Sequence, residues 1–162
     1  MPPAPPRAVE RDASIAVSFG GGWLALNDNI GRDGQGAWLL RLRLAAGVAV
    51  NWMVFVGIEA GGTNREGVTF VQTTPMAGVQ RFFGGRFYMY GGLGPSWVTE
   101  SDPEDEESPF SVGPGFGSTV GLGFEGFRFP HGAVGLEASA TMGLFAHERW
   151  DTGGVSLTFT GF

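Results

Sequence analysis

Arg41 and Arg43 stand inside an otherwise apolar run, WLLRLRLAAGVAVNWMVFVGIEAG from Trp38 to Gly61, and Glu59 lies near its far end. Two further carboxylates, Glu125 and Glu137, occur in segments of the same character. Arginines and glutamates brought together out of water can form a paired, hydrogen-bonded cluster that holds a structure shut, or they can gate a path for small solutes. A different chemistry, attack by an activated serine, needs a base oriented by a third group. Only His131 and His147 are available; His147 adjoins Glu148, but no serine is placed for it to activate, so no catalytic residue is assigned. The stretch TESDPEDEESP concentrates Glu100, Asp102, Glu104, Asp105, Glu106 and Glu107. It lacks the glycine-containing spacing of an EF-hand and reads first as a solvated loop, with divalent-cation binding or docking to a basic partner as alternatives; no metal ligand set is assigned. The glycines of GGGW and GGLG have no strand–turn–helix context that would make them phosphate cradles, and no cofactor is implied.

The elements that must position these side chains are strands. Side chains alternate between the two faces of a strand, and period two recurs along this chain. In AWLLRLRLA, Trp38, Leu40, Leu42 and Leu44 share one face, while Leu39, Arg41, Arg43 and Ala45 share the other. In NWMVFVGIEAG, Trp52, Val54, Val56 and Ile58 oppose Asn51, Met53, Phe55, Gly57 and Glu59. The same alternation sets Val120, Leu122 and Phe124 against Thr119, Gly121, Gly123 and Glu125. It sets Leu136, Ala138 and Ala140 against Glu137, Ser139 and Thr141, and Val155, Leu157 and Phe159 against Ser156, Thr158 and Thr160. Three segments with less clean alternation, starting at Ser14, Phe70 and Arg86, bring the expected total to eight strands.

One face of each strand is apolar and the other carries Arg, Glu, Ser, Thr and Gly. A soluble sandwich or barrel needs its inward face apolar, whereas a barrel in lipid needs the reverse. Segments of roughly 9 to 11 residues match a tilted bilayer crossing, and closure satisfies every backbone group where no water is available. The sequence therefore predicts an all-β fold, an eight-stranded antiparallel up-and-down transmembrane β-barrel over 14–162, preceded by a Pro-rich periplasmic lead-in over 1–13. Connections are expected to alternate in length, the longer ones falling at 27–36, 60–67, 99–113 and 146–153. Trp23, Trp38, Trp97 and Trp150 are expected near the long-loop ends, and Trp52, Phe82, Phe83, Phe87, Phe127, Phe129 and Phe162 at the short-turn ends, as two aromatic girdles. Arg41, Arg43, Glu59, Glu125 and Glu137 then meet in a narrow lumen as a plug, with Gln72, Gln80, Tyr88 and Tyr90 adding hydrogen bonds. Pro75 and Pro95 mark places where strand pairing is interrupted.

The net charge of −6, with no Arg-rich cluster, excludes nucleic acid as a partner. Without cysteine there is neither a disulfide framework nor a thiolate metal site. No run of about 18 apolar residues is present to form a transmembrane helix.

LAAGVAVNWMVFVGIEAG, MAGVQRFFGGRFYMYGGLG and the closing GVSLTFTGF resemble the second hairpin, the central hairpin and the last strand of the small eight-stranded outer-membrane β-barrels, the family of the outer membrane protein A membrane domain and outer membrane protein X. The resemblance covers the chain from Ser14 onward. It implies a bacterial outer-membrane location and contacts with membrane lipid, lipopolysaccharide, the barrel assembly machinery and other envelope proteins. It also implies a structural or interaction role, with a narrow channel or conduit for small solutes, or a lipid A-modifying enzyme, as alternatives. The final strand departs from the family pattern, because the outward series Val155, Leu157, Phe159 places Gly161 rather than Phe162 in register. A bulge near Thr160 would restore the phase.

Overall fold

Alternating sequence becomes alternating burial along eight strands: β1 (Ala13–Asn27), β2 (Arg32–Ala49), β3 (Trp52–Arg65), β4 (Val68–Phe83), β5 (Phe87–Ser101), β6 (Ser111–Phe129), β7 (Gly132–Leu144) and β8 (Arg149–Gly161). The structure is a computed structural model and describes residues 12–27, 32–65, 67–101, 111–146 and 148–162. Each strand pairs antiparallel with its chain neighbours, and β1 pairs with β8 to close the barrel. Closure leaves no edge strand, so the wall satisfies its backbone internally.

The strands run from 13 to 19 residues, longer than a bilayer crossing requires, so several ladders continue past the apolar band. The connections shorten accordingly. β3 and β4 are joined through residues 66–67, where an eight-residue loop was expected, and β1 and β2 through 28–31. The turns at 50–51, 84–86 and 130–131 define a short-turn end that also holds both ends of the barrel sequence; the connections at 28–31, 66–67, 102–110 and 145–148 define the opposite, loop end. Asn51, at φ 63°, and Gly84 and Gly85, at φ 57° and 83°, supply the left-handed conformations that two of these tight turns need.

Polarity is inverted relative to a soluble barrel. Leu40, Leu42, Leu44, Val54, Val56, Ile58, Val120 and Leu122 are all exposed on the outer wall, while Arg41, Arg43, Glu59 and Glu137 are buried inside. A row of exposed aliphatics this long is unfavourable against water and favourable against acyl chains.

Three bulges re-aim the alternation, with Val48, Gly126, and Gly113 with Pro114 as the extra residues. The one at Gly126 reverses the phase of β6, so that Phe127 and Phe129 are exposed although Glu125, of the same parity, is buried. No register shift interrupts the pairing of β8 with β1 or β7. The expected bulge near Thr160 is absent: Phe162 lies one residue beyond the strand, its N–H donating to the His131 carbonyl at 3.2 Å, and the alternation of β8 does not govern it.

Pro75 and Pro95 face each other across β4 and β5. The ladder runs from Thr69↔Ser101 to Thr73↔Trp97 and resumes at Ala77↔Leu93, leaving 74–76 and 94–96 without paired bridges. Two facing prolines remove both N–H donors of one hydrogen-bonded pair, which accounts for a gap of that length. On the lumen side the gap is spanned by side chains, because the Thr74 and Ser96 hydroxyls hydrogen-bond each other at 2.9 Å.

Candidate functional site

The lumen is the site to which the sequence points. β2 and β3 bring Arg41 directly opposite Glu59. Arg41 donates from Nε to Glu59 Oε2 at 2.7 Å, and from Nη2 to Ser139 Oγ at 2.6 Å. Glu137 reaches across from β7 and is the acceptor on which the cluster converges. Its Oε1 accepts from Arg41 Nη1 and from the Tyr90 hydroxyl at 3.0 Å; its Oε2 accepts from Arg43 Nη2 and from the Tyr88 hydroxyl at 2.8 Å. Glu59 Oε1 also accepts from the Thr141 hydroxyl. Two guanidinium groups and two carboxylates balance, which is the condition under which buried charges persist.

Arg43 makes one ion pair, and its Nε and Nη1 have no hydrogen-bond partner among the described residues. Its guanidinium instead lies over the Tyr90 ring, with Cζ 4.1 Å from the centroid and the Tyr88 and Phe55 rings somewhat further away. The ring faces supply part of the electrostatic stabilisation that hydrogen bonds would otherwise give.

Glycines make room for these groups. Tyr90 and Tyr88 on β5 sit opposite Gly121 and Gly123 on β6, and a Cβ placed on Gly121 would lie 2.3 Å from Tyr90 Cζ. Gly121→Val is expected to push the Tyr90 ring off Glu137 and to cost about 1–3 kcal/mol, the usual range for overpacking; the shift of the urea unfolding midpoint in detergent micelles measures it.

The sequence expectation of one five-membered cluster is corrected at Glu125. This residue is buried near the short-turn end and pairs with Arg128, whose Nη2 is 2.6 Å from Glu125 Oε2. Arg128 went unread because the Gly126 bulge brings it back to Glu125, against simple alternation. Of the predicted hydrogen-bonding residues, Tyr88 and Tyr90 join the cluster and Gln80 is buried on β4. Gln72 belongs to a separate polar layer toward the loop end, donating to Ser96 Oγ at 3.4 Å and accepting from the Thr152 hydroxyl. Ser139 and Thr141 were legible as inward residues but not as partners, since cross-lumen proximity has no sequence spacing; Thr74, Ser96 and Thr152 lay in segments whose faces the alternation did not assign.

Apolar clusters flank the polar interior. Toward the short-turn end lie Ala45, Met53, Phe55, Met76 and Phe82 with the tyrosine rings; toward the loop end, Leu24, Val98 and Trp150 pack with Ala37, Phe70 and Phe145. Phe82 and Trp150 are therefore corrections to the girdle expectation. Each shares the parity of inward neighbours, Gln80 on β4 and Thr152 on β8, and each points into the lumen. Trp23, Trp38, Trp52, Phe83, Phe87 and Phe162 are exposed, and Trp97 lies on the outer face of β5. The Trp23 and Trp38 rings lie against Gly153 and Gly62 of neighbouring strands, where a Cβ would collide with them. Glu100 is half-buried at the loop end of β5, whereas Asp102, Glu104, Asp105, Glu106, Glu107 and His147 lie outside the described residues. His131 is exposed in the 130–131 turn.

A closed eight-stranded barrel with an apolar outer wall and a charged, filled lumen has the fold of the small outer-membrane β-barrels. No protein-family model matches the chain, and no curated protein matches it in sequence. Solved structures do. Ail, the attachment invasion locus protein of Yersinia pestis, superposes with a TM-score of 0.65 at 14% identity, covering 93% of this chain and 98% of Ail. Neisserial surface protein A gives a TM-score of 0.69 at 12% identity, with 93% and 97% of the two chains covered. The N-terminal β-barrel domain of Pseudomonas aeruginosa OprF gives 0.53 at 14% identity, with 93% and 98% covered.

Proposed function

We propose that this chain is a non-catalytic scaffold of the bacterial outer membrane: a plugged barrel, its short-turn end periplasmic, that displays its loop end outside the cell. The observation that carries this reading is the charge-balanced cluster of Arg41, Arg43, Glu59 and Glu137, flanked toward both ends by apolar side chains. A water-filled path needs continuous polar lining, and this lumen is interrupted twice. The cluster thus acts as a plug that holds opposite walls together, not as a gate. The girdle aromatics anchor the wall at the two interfaces, and the acidic sequence from Glu100 to Glu107, between β5 and β6, supplies the negative charge for display. Lipid, lipopolysaccharide and envelope proteins are its partners, with the barrel assembly machinery acting during biogenesis. Ail has been solved with the polyanion sucrose octasulfate; the carboxylates of TESDPEDEESP favour cationic partners over polyanions at the corresponding end of this chain.

Planar-bilayer recording tests the reading. The purified chain is expected to show no discrete conductance steps, and Arg41→Ala combined with Arg43→Ala is expected to stay silent because the apolar layers remain. Discrete openings in the wild type, or openings released by the double substitution, would establish the channel reading instead.

A further inference from the structure

The lumen does not use Arg81. This residue lies on the outer wall of β4 near the short-turn end, opposite Trp52 of β3, and is exposed. Its Cζ is 5.0 Å from the Trp52 ring centroid and 5.0 Å from that of Phe83, so aromatic groups flank the guanidinium. Among the described residues no carboxylate pairs with it. Stacking of this kind engages the faces of a guanidinium and leaves its in-plane N–H donors free, the geometry that suits a phosphate.

Above Arg81, toward mid-wall, the outer surface is hollowed. Ala46 and Ala77 leave a groove of 890 Å³ between ridges formed by Ile15, Leu44, Val54 and Val56. Ala77 is four residues from Arg81 along β4, a separation of about 13 Å at 3.3 Å per residue. A fixed cation at the interface and an apolar trough a short way into the wall match the two parts of one phospholipid. Arg86, exposed in the 84–86 turn, adds a second positive charge at the same end.

We infer that Arg81 and the β1–β4 groove form a binding site for an anionic phospholipid of the leaflet at the short-turn end, phosphate on the guanidinium and acyl chain in the groove. The inference rests on the membrane reading above. Charge selects the occupant: a zwitterionic headgroup would bring its own ammonium toward Arg81, whereas a phosphatidylglycerol headgroup brings only negative charge.

Native mass spectrometry of the full chain in detergent micelles, with equimolar phosphatidylglycerol and phosphatidylcholine of matched acyl chains, tests the site. Wild type is expected to retain phosphatidylglycerol about tenfold over phosphatidylcholine, a difference of about 1.4 kcal/mol set by the net charge of the headgroup, since both lipids carry the phosphate. Arg81→Gln is expected to bring the ratio close to one, and Ala77→Phe, which fills the groove, to reduce retention of both lipids. Circular dichroism confirms that each variant is folded. Equal retention by wild type, a preference that survives Arg81→Gln, or a dimer that excludes lipid from the groove would each overturn the site. A chain that fails to insert into vesicles overturns the membrane reading itself; one that inserts without lipid preference overturns the site alone.

Discussion

Glu137→Ala is expected to lower the unfolding free energy by about 3–5 kcal/mol, the range for removing one partner of a buried ion pair. The carboxylate accepts from four groups, and among the described residues its loss leaves Arg43 without an ionic partner and removes one of the two from Arg41. The Tyr88 and Tyr90 hydroxyls lose their acceptor at the same time. Equilibrium urea unfolding in micelles measures the loss. Adding Arg43→Met is expected to recover part of it, because the second change removes a charge that the first left uncompensated, and the two effects are therefore non-additive. Glu125→Ala provides the contrast. Its partner Arg128 has a side chain 31% exposed and can turn to solvent, so the expected cost is well below that at Glu137. A loss at Glu137 no larger than that at Glu125 would mean that water reaches the cluster and that the lumen is not plugged.

Trp150→Ala is expected to cost a similar amount, about 3–5 kcal/mol, the range for truncating a buried aromatic. The side chain is 5% exposed, against 45% for Trp23 and Trp38, and its ring centroid lies 5.8 Å from that of Phe70. Its indole N–H donates to Glu148 Oε2 at 2.9 Å, so truncation also removes an oriented polar contact. Trp23→Ala, made on the outer wall, is expected to cost less in the same assay. Quenching by lipids brominated along their acyl chains separates the two locations directly. A variant retaining only Trp150 is expected to be protected, and one retaining only Trp38 to be quenched.

The strands were legible because each carries its own alternation, which requires no knowledge of its neighbours. WLLRLRLA announces which residues face out before its partner strand is known. The same local rule placed Arg41, Arg43, Glu59 and Glu137 in the lumen, and their pairing followed from the narrowness of the barrel. Glu125 was misassigned for a related reason: its orientation is local, but its height in the barrel depends on register. That height, together with the bulge at Gly126, delivers it to Arg128. Trp150 was misplaced where an interface preference of tryptophan was given precedence over the parity of β8, although Ser156 and Thr158 already set that parity. The Thr74 and Ser96 bridge was out of reach of pattern reading, but the prolines beside it correctly flagged the interrupted ladder.

The β4–β5 gap interrupts the ladder for three residues midway around the chain, and the ionic cluster is shared unequally between β1–β4 on one side of it and β5–β8 on the other. The first half holds Arg41, Arg43 and Glu59, leaving a surplus positive charge; the second holds Glu137 and the hydroxyls that point at it. Neither half-sheet is electrically complete. A partly assembled sheet entering lipid would expose a bare charge to hydrocarbon, and only the closed ring cancels it. Closing the ring thus brings the one carboxylate on β7 to the two guanidinium groups of β2, and charge balance in the lumen is a property of the closed barrel alone.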